Sequence, residues 1–160
     1  MAYRLTRTHR WISTQAVFEN LELKHKVFGT VSGLVRDDCV LATNTSAIPI
    51  EKVAAGIDKP ERVLGMHYFS PVPSMQLLEI IPHAGTNEES MSKAFGVGIK
   101  QGKTCIEVAD VPGFYVNRAL APMMAEVAPL FEDGVTPKQL DEAILDLGMP
   151  VGPITLLDEV

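Results

Sequence analysis

Cys39-Val40-Leu41-Ala42-Thr43-Asn44-Thr45-Ser46 is a short apolar run that passes directly into four polar residues. Four apolar residues are too few for a helix, so the run predicts a buried parallel strand and the polar tail predicts a loop. Upstream, apolar residues recur at helical spacing between Glu19 and Val35, which predicts an amphipathic helix. A helix followed by a buried strand is the repeating unit of an α/β fold.

The same alternation of helices and short apolar runs continues along the chain. Helices are predicted over residues 48–55 and 88–101, and strands over residues 63–66, 77–81 and 104–108. Strands that alternate with helices predict a βαβ sheet, in which sequential parallel strands lie side by side. In this sheet His67 would stand at the carboxyl end of its strand.

A different pattern begins after Asp110, because two helical segments follow each other without a strand between them. The first covers residues 114–131, and the second covers residues 137–147 with Thr136 as its N-cap. We therefore predict a domain boundary near Asp110 and an all-α region after it.

Composition excludes several classes of partner. The 20 acidic and 14 basic residues give a net charge of -6, which argues against general attraction to nucleic acid or to an anionic membrane surface. No apolar run reaches the roughly 18–20 residues of a membrane helix. Cys39 and Cys105 lie in apolar runs and are predicted to be structural, and their spacing from the histidines suggests no metal site. The expected partner is a small molecule or a protein.

Residues 1–14 are predicted to be a separate N-terminal segment. This segment carries Arg4, Arg7 and Arg10 without an acidic residue, and hydroxyl side chains follow them. Such a composition is compatible with a mitochondrial presequence. A start that is not homologous to the rest of the chain is an equally good interpretation.

Three polar residues stand out because of where they fall in this pattern. In an open parallel sheet, ligands bind outside the carboxyl ends of the strands, and the predicted strands lead into Ser46 and His67. Glu79 is flanked by Leu78 and Ile80, and a lone carboxylate is costly to bury without a partner. His67 is the nearest candidate for that partner, and a histidine paired with a carboxylate can act as a general base.

The same residues also have structural interpretations, and composition and spacing alone leave the choice open. A histidine after a strand is more often a hydrogen-bonded structural residue, and Glu79 could equally lie exposed on an edge strand. Asn117 could be a polar position on a helix face. The segment 44–46 could serve only as a helix cap.

Four motifs occur in order along the chain. They are Asn44-Thr45-Ser46, Gly65-Met66-His67-Tyr68-Phe69-Ser70-Pro71-Val72, Leu78-Glu79-Ile80-Ile81 and Pro112-Gly113-Phe114-Tyr115-Val116-Asn117-Arg118. These motifs and their spacing resemble the L-3-hydroxyacyl-CoA dehydrogenase family. Residues 16–19 and 152–160 are most similar to the large multifunctional β-oxidation protein of the trifunctional α-subunit type. The resemblance covers about residues 15–160.

The resemblance implies a fold and an activity. Residues 15–109 would form the second half of a Rossmann-like NAD-binding domain, and residues 110–160 would form the start of an all-α C-terminal dehydrogenase domain. The implied reaction, in fatty-acid β-oxidation, oxidises an L-3-hydroxyacyl-CoA to the 3-oxoacyl-CoA with NAD. Full-length relatives associate as oligomers, with a thiolase subunit or with a membrane. Together with the N-terminal composition, the resemblance favours mitochondria over a peroxisome or the bacterial cytoplasm.

Carried over motif by motif, the resemblance assigns catalytic roles to four residues. His67 would take the proton of the substrate 3-hydroxyl while hydride leaves C3 for NAD, and Glu79 would orient His67 and stabilise its charge. Ser46 and Asn117 would hydrogen-bond the substrate oxygens.

The resemblance also assigns a cofactor-binding set, which consists of Glu19, Lys24, Ser46 and Ser70. Glu19 and Lys24 would lie beside the nicotinamide ribose, although helix-face charge alone also explains them. Single-function dehydrogenases have Asn where this chain has Ser70, and this departure favours the multifunctional branch.

Two features of the family are missing from the sequence. No Gly-x-Gly-x-x-Gly motif opens the chain, and in the family this motif holds the pyrophosphate at a helix N-terminus. The chain also stops at Val160, inside a motif that the family continues. We therefore expect an internal fragment with exposed apolar sheet edges, and a non-catalytic acyl-CoA-binding or structural fragment is the alternative function.

Overall fold

The computed structural model describes residues 11–149 and 151–158. The chain forms two compact units, of which the first ends at Tyr115 and the second begins at Val116. Within its described residues, the first unit contains strands and α-helices in the order β1 (Ile12–Gln15), α1 (Leu21–Ser32), β2 (Val40–Thr43), α2 (Ile50–Ala54), β3 (Val63–Tyr68), β4 (Leu77–Pro82), α3 (Glu88–Lys100) and β5 (Thr104–Glu107).

The two longer helices of the first unit begin at asparagine caps. The Asn20 side chain accepts the Leu23 N–H at 2.9 Å, and the Asn87 side chain accepts the Ser90 N–H at 2.8 Å. An N-cap side chain satisfies one of the backbone N–H groups that lack a partner in the first turn of a helix. These caps therefore explain where α1 and α3 begin.

The strands form one sheet in the order β1-β2-β3-β4-β5. β1, β2 and β3 run parallel, β4 runs antiparallel to β3, and β5 runs parallel to β4. The reversal at β4 differs from the parallel sheet expected from the sequence. Only residues 69–76 connect β3 to β4, and this segment is too short for the helical crossover that a parallel pair needs. β4 therefore returns beside β3 in the opposite direction.

β1 lies in a segment that the sequence analysis did not predict as a strand. It pairs in parallel with β2, and Gln15 Nε2 donates to the Thr43 hydroxyl at 2.6 Å. No apolar run reveals this strand, because only its first residue, Ile12, is apolar. Residues 1–10, with the arginines that suggested a presequence, lie outside the described residues.

Helices cover both faces of the sheet. α1 and α2 cover one face, where the buried apolar residues include Phe28, Leu41, Ile50, Val53, Ala54, Val63 and Ile81. α3 covers the other face, where the buried apolar residues are Val40, Ala42, Leu64, Met66, Leu78, Ile80 and Ala94. Removal of these side chains from water is the main driving force for folding of this unit.

Alternation of side chains along a strand decides which face each residue joins. In β3 and β4 the even-numbered residues face α3, whereas the odd-numbered residues, including His67 and Glu79, lie on the α1/α2 face. A Cβ added at Gly65 would lie 2.8 Å from Ile81 Cδ1 and 2.9 Å from Ile50 Cδ1. Because glycine has no side chain, α2 can approach β3, the strand that carries His67, at Gly65.

Gly98 and Gly96 of α3 make a matched pair for testing how closely this helix packs on the sheet. A Cβ at Gly98 would overlap Cys105 Sγ and lie 2.8 Å from Leu78 Cδ2, whereas a Cβ at Gly96 would have nothing within 4 Å. We expect Gly98→Ala to lower the free energy of unfolding by about 1–3 kcal/mol through overpacking. Gly96→Ala should raise it by about 0.5–1 kcal/mol, because alanine has the higher helix propensity. Urea unfolding measures both values, and changes of the same sign would contradict the close packing.

The second unit is helical in its described residues, with α4 (Val116–Glu132), α5 (Pro137–Asp146) and α6 (Pro153–Asp158). α5 begins at a capping box, in which the Thr136 hydroxyl accepts the Gln139 N–H at 3.3 Å and Gln139 Oε1 accepts the Thr136 N–H at 3.0 Å. Asp141 accepts the N–H groups of Ile154 and Thr155 at 2.8 and 3.1 Å, which fixes the start of α6. Among the described residues, every helix is too short or too polar to cross a membrane.

Candidate active site

His67 and Glu79 face each other across the antiparallel β3–β4 pair. The strand register places them directly opposite, and the distance from His67 Nδ1 to Glu79 Oε2 is 2.7 Å. Directly opposed residues of an antiparallel pair have Cβ atoms about 5 Å apart on the same face, so their side chains lie within reach of each other. The structure thus brings together the two residues that the sequence analysis paired.

The bond between these two side chains fixes where the proton of His67 sits. An ionised carboxylate only accepts hydrogen bonds, so the Nδ1–H group donates to Glu79 Oε2. In a neutral ring the other nitrogen, Nε2, then carries a lone pair. Nε2 makes no hydrogen bond within the described part of the chain. One nitrogen of His67 is therefore held by the protein, and the other can meet a ligand.

Glu79 is fully buried, and both of its oxygens accept hydrogen bonds. Oε2 accepts from His67, and Oε1 accepts the main-chain N–H of Tyr115 at 3.0 Å. A buried carboxylate without donors would be strongly unfavourable, so these bonds explain how β4 carries an acidic residue in its apolar run. The interpretation of Glu79 as an exposed edge-strand residue is wrong, because β4 lies between β3 and β5.

Two phenylalanine rings contact the imidazole of His67. The ring centroids of Phe69 and Phe114 lie 4.5 and 5.8 Å from that of His67, with interplanar angles of 52° and 60°. Only 5% of His67 and 2% of Phe114 are exposed. Packed rings restrict rotation of the imidazole and shield most of its surface from water. Within the described residues, only a small part of the His67 surface is therefore exposed to solvent.

The Ser46 loop, residues 44–48, follows β2 and is held by Glu19. Glu19 Oε1 accepts three consecutive main-chain N–H groups at 3.1, 3.1 and 3.3 Å, which belong to Ser46, Ala47 and Ile48. It also accepts the Thr45 hydroxyl. Consecutive N–H groups that converge on one point form an anion-binding concavity, which a side chain of the protein fills here. Glu19 therefore fixes the backbone that carries Ser46.

Glu19 also forms an ion pair with Lys24 of α1. The distance from Lys24 Nζ to Glu19 Oε2 is 3.0 Å, and Nζ donates to the Val17 carbonyl oxygen at 3.3 Å. Partial burial raises the pKa of Glu19, but donation from the Thr45 hydroxyl, the Lys24 ammonium and the Ala47 N–H lowers it, and the net pKa is about 2. Glu19 and Lys24 are therefore not simply exposed charges on the face of a helix, because only 1% of the Lys24 side chain is exposed.

Glu19→Gln should destabilise the first unit in a pH-dependent way. The folded pKa of Glu19, about 2, lies below its ordinary value of 4.5. Its stabilising contribution is therefore present above pH 4.5 and is lost as the pH falls from 4.5 toward 2. We expect the variant to melt below the unmodified chain at about pH 6, and the difference to shrink at about pH 2.5. Thermal melts measure this, with exposed Glu22→Gln as control, and a difference that stays constant with pH would contradict the assignment.

A groove with a volume of about 520 Å³ opens at the carboxyl ends of β1, β2 and β3. It is lined by Thr14, Ala16, Asn44, Tyr68, Val72, Pro73, Gln101 and Lys103. Asn44 Oδ1 accepts the Tyr68 N–H at 2.8 Å, which ties the Ser46 loop to β3. The carboxyl ends of parallel strands are where open α/β sheets bind ligands. Gln101 and Lys103 had no sequence signal, because only the fold brings the end of α3 to this edge.

Ser70 and Asn117 are the remaining predicted residues. Ser70 is exposed shortly after β3. Glu19, Ser46 and Ser70 thus follow β1, β2 and β3 in turn, so these members of the predicted cofactor set share one edge of the sheet. Asn117 lies in the first turn of α4 and belongs to the second unit, and its role stays a prediction.

Family models match both units. The model of the 3-hydroxyacyl-CoA dehydrogenase NAD binding domain matches residues 8–111, and the model of the 3-hydroxyacyl-CoA dehydrogenase C-terminal domain matches residues 113–160. The chain belongs to the 3-hydroxyacyl-CoA dehydrogenase family. The match begins at residue 8, earlier than the motif resemblance, and therefore includes β1.

Curated members of the family that resemble this chain are much longer. The fatty acid oxidation complex subunit alpha of Vibrio campbellii is 49% identical over 152 residues, which cover 95% of this chain and 22% of that protein. The corresponding subunit of Vibrio cholerae is 48% identical over 146 residues, which cover 91% of this chain and 21% of that protein. The chain therefore spans about a fifth of the length of the curated relatives that it matches.

Solved structures of 3-hydroxyacyl-CoA dehydrogenase relatives share the fold. The (S)-3-hydroxybutyryl-CoA dehydrogenase of Ralstonia eutropha is 37% identical, with a TM-score of 0.82 over 93% of this chain and 53% of that chain. The 3-hydroxybutyryl-CoA dehydrogenase of Escherichia coli K12 is 35% identical, with a TM-score of 0.76 over 89% of this chain and 30% of that chain. The predicted fold class, part of a Rossmann-like NAD-binding domain followed by helices of the C-terminal domain, is confirmed.

Proposed function

We propose that this chain carries the catalytic pair of an NAD-dependent 3-hydroxyacyl-CoA dehydrogenase, which oxidises an L-3-hydroxyacyl-CoA to the 3-oxoacyl-CoA. The proposal rests on the buried His67–Glu79 pair, in which Nδ1 and Oε2 are 2.7 Å apart and Nε2 is left for a ligand. A histidine in this state can accept the proton of an alcohol, and the adjacent carboxylate stabilises the imidazolium that results.

The proposed reaction divides the work among four residues. Nε2 of His67 takes the proton of the substrate 3-hydroxyl, and Glu79 holds the charged ring in place through Oε2. NAD, when bound, supplies the acceptor for the hydride that leaves C3. Ser46 and Asn117 are proposed to hydrogen-bond the substrate oxygens. The backbone of Ser46 is already held in place, which reduces the entropy lost when the substrate binds.

The carboxyl edge of the sheet fits a dinucleotide cofactor. Three parallel strands end there beside the groove of about 520 Å³, and open α/β sheets bind dinucleotides at this place. Glu19, Ser46 and Ser70 follow the three strands, and Lys24 is paired with Glu19. We propose that these four residues contribute to the NAD site.

A chimera provides the sharpest test of the proposed activity. In it, this chain replaces the matching 152 residues of the Vibrio campbellii relative, which is 49% identical over that stretch. The assay follows the reverse reaction, in which NADH reduces acetoacetyl-CoA. We expect the chimera to oxidise NADH in this assay. If the unmodified relative is active and the chimera folds but is inactive, the proposal is contradicted.

The alternative function is a non-catalytic acyl-CoA-binding or structural module. It is not favoured, because the buried His67–Glu79 pair leaves Nε2 for a substrate oxygen and places a carboxylate where it can stabilise the imidazolium. This alternative predicts a chimera that binds acetoacetyl-CoA in calorimetry without oxidising NADH. Calorimetry beside the kinetic assay therefore separates the two functions.

We infer the substrate class, the partners and the compartment from the relatives. Their name, fatty acid oxidation complex subunit alpha, supports an acyl-CoA substrate and membership of a complex. Association with a thiolase subunit, with further copies or with a membrane stays a prediction. The Vibrio relatives favour the bacterial cytoplasm, which the sequence analysis held as an alternative, over mitochondria.

A further inference from the structure

The linker segment, residues 110–115, follows β5 and ends the first unit, and it is held at three points. Asp110 accepts the first two N–H groups of α2 at 2.7 and 2.8 Å. Phe114 is buried in the core on the α1/α2 face. The Tyr115 N–H donates to Glu79 Oε1 at 3.0 Å. Two of these three attachments involve the candidate catalytic pair directly, because Phe114 also contacts the His67 ring.

The backbone of the linker segment is turned in an unusual way. Gly113 has a φ of 76°, and Phe114, which carries a large side chain, has a φ of 43°. Residues other than glycine rarely adopt a positive φ, and such strained positions persist only where the surroundings hold them. Here the turn directs the Phe114 ring toward His67 and the next N–H group toward Glu79.

We propose that Phe114 and the main-chain N–H of Tyr115 are positioning groups for the His67–Glu79 pair. This inference rests on the proposed dehydrogenase function and adds two residues that the sequence analysis did not assign a role. Neither group touches the reacting atoms in the proposed reaction. Both act through the pair, one on the imidazole ring and the other on the carboxylate.

The two groups restrict different rotations. The Phe114 ring, with its centroid 5.8 Å from that of His67, limits how far the imidazole can turn about its side-chain bonds. The Tyr115 N–H holds Oε1 of Glu79, so Oε2 stays directed at Nδ1 of His67. A displacement of about 1 Å of a catalytic group can cost about 100-fold in rate, so positioning of this kind is expected to be visible in turnover.

Phe114→Leu and Phe28→Leu form a matched pair that separates positioning from packing. Phe114 and Phe28 are almost fully buried in the same core, at 2% and 1% exposure. Of these two described residues, only Phe114 has its ring in contact with that of His67. In ¹⁵N-histidine-labelled chain, the His67 Nδ1–H resonance reports directly on the bond to Glu79. We expect Phe114→Leu to shift or broaden this resonance and Phe28→Leu to leave it in place, while both variants melt at lower temperature.

Turnover in the chimera gives the second readout. We expect Phe114→Leu to lower kcat by about 10- to 100-fold with a much smaller change in KM. Phe114→Tyr should keep most of the unmodified kcat, because tyrosine retains the aromatic ring. Phe28→Leu should leave kcat nearly unchanged. An inactive chimera whose His67 resonance still responds to Phe114→Leu supports the positioning role and contradicts only the proposed dehydrogenase activity.

Two results would overturn the inference. The first is a folded Phe114→Leu variant whose His67 resonance matches that of the unmodified chain. The second needs no variant, since hydrogen exchange of the Tyr115 amide can be measured in the unmodified chain. We expect this amide to exchange slowly because Glu79 accepts it, and exchange at the rate of an unprotected loop amide would remove Tyr115 from the positioning role.

Discussion

We expect His67→Gln to lower the turnover of the chimera by about two to four orders of magnitude, because a glutamine amide cannot exchange a proton with the substrate oxygen. The KM for acetoacetyl-CoA should change far less, since the substrate would keep its other contacts. Glutamine retains a donor for Glu79 Oε2, so the β3–β4 pair should still form. Steady-state oxidation of NADH at saturating acetoacetyl-CoA is the measurement.

His83→Gln is the matched control. His83 follows β4, at the end of the β3–β4 pair that is opposite to the catalytic pair. Its ring contacts the Pro60 carbonyl oxygen at 2.9 Å and accepts the Gly85 N–H at 3.1 Å. His83 therefore has the hydrogen bonds of a structural histidine, which was one interpretation of His67. We expect His83→Gln to keep turnover within about twofold of the unmodified chimera. Equal turnover of the two variants would remove His67 from the mechanism.

We expect Glu79→Gln to lower turnover by about two to three orders of magnitude and to destabilise the first unit by about 1–3 kcal/mol. The reason lies in the number of acceptor oxygens. Glu79 accepts the His67 Nδ1–H on Oε2 and the Tyr115 N–H on Oε1, whereas a glutamine amide has one oxygen. One of the two donors then faces an NH₂ group. Either the tautomer of His67 changes or the Tyr115 N–H loses its partner.

Glu107→Gln is the control for this change, because Glu107 is exposed at the end of β5 and its replacement removes the same charge without removing a buried acceptor. Its kcat and its free energy of unfolding should both stay close to those of the unmodified protein. Urea unfolding and steady-state kinetics cover both variants. A Glu79→Gln variant with normal kcat would show that the pair is not the catalytic unit, even if the variant were less stable.

The catalytic pair could be predicted from the sequence in part. Glu79 lies in an apolar run, and the cost of burying its charge required a nearby partner. His67 followed the preceding apolar run and was the nearest candidate. The direction of β4 was not predicted, although the short segment between the runs already excludes a helical crossover. Only the antiparallel register shows that the two residues are directly opposed.

The hold of Glu19 on the Ser46 loop could not be predicted from the sequence. Glu19 and Lys24 were singled out only through family resemblance, and their local pattern is that of ordinary helix-face charge. Three consecutive N–H groups of the loop converge on Glu19 Oε1 because α1 begins beside the carboxyl end of β2. A contact between groups more than 25 residues apart in the chain leaves no periodic signal.

By itself, the sequence determined the type and order of most helices and strands, the family, and the identity of the buried histidine and carboxylate. These follow from local patterns, because apolar spacing, caps and short motifs act over a few residues. Only the tertiary structure decided the strand β1, the reversal of β4, the anchoring of the Ser46 loop by Glu19, and the contacts of Phe114 and Tyr115 with the pair. Each of these features depends on groups that are distant in sequence and meet only when the sheet is assembled. The physical reason is that strand pairing and packing depend on the burial of apolar surface in the whole unit, which no single segment determines.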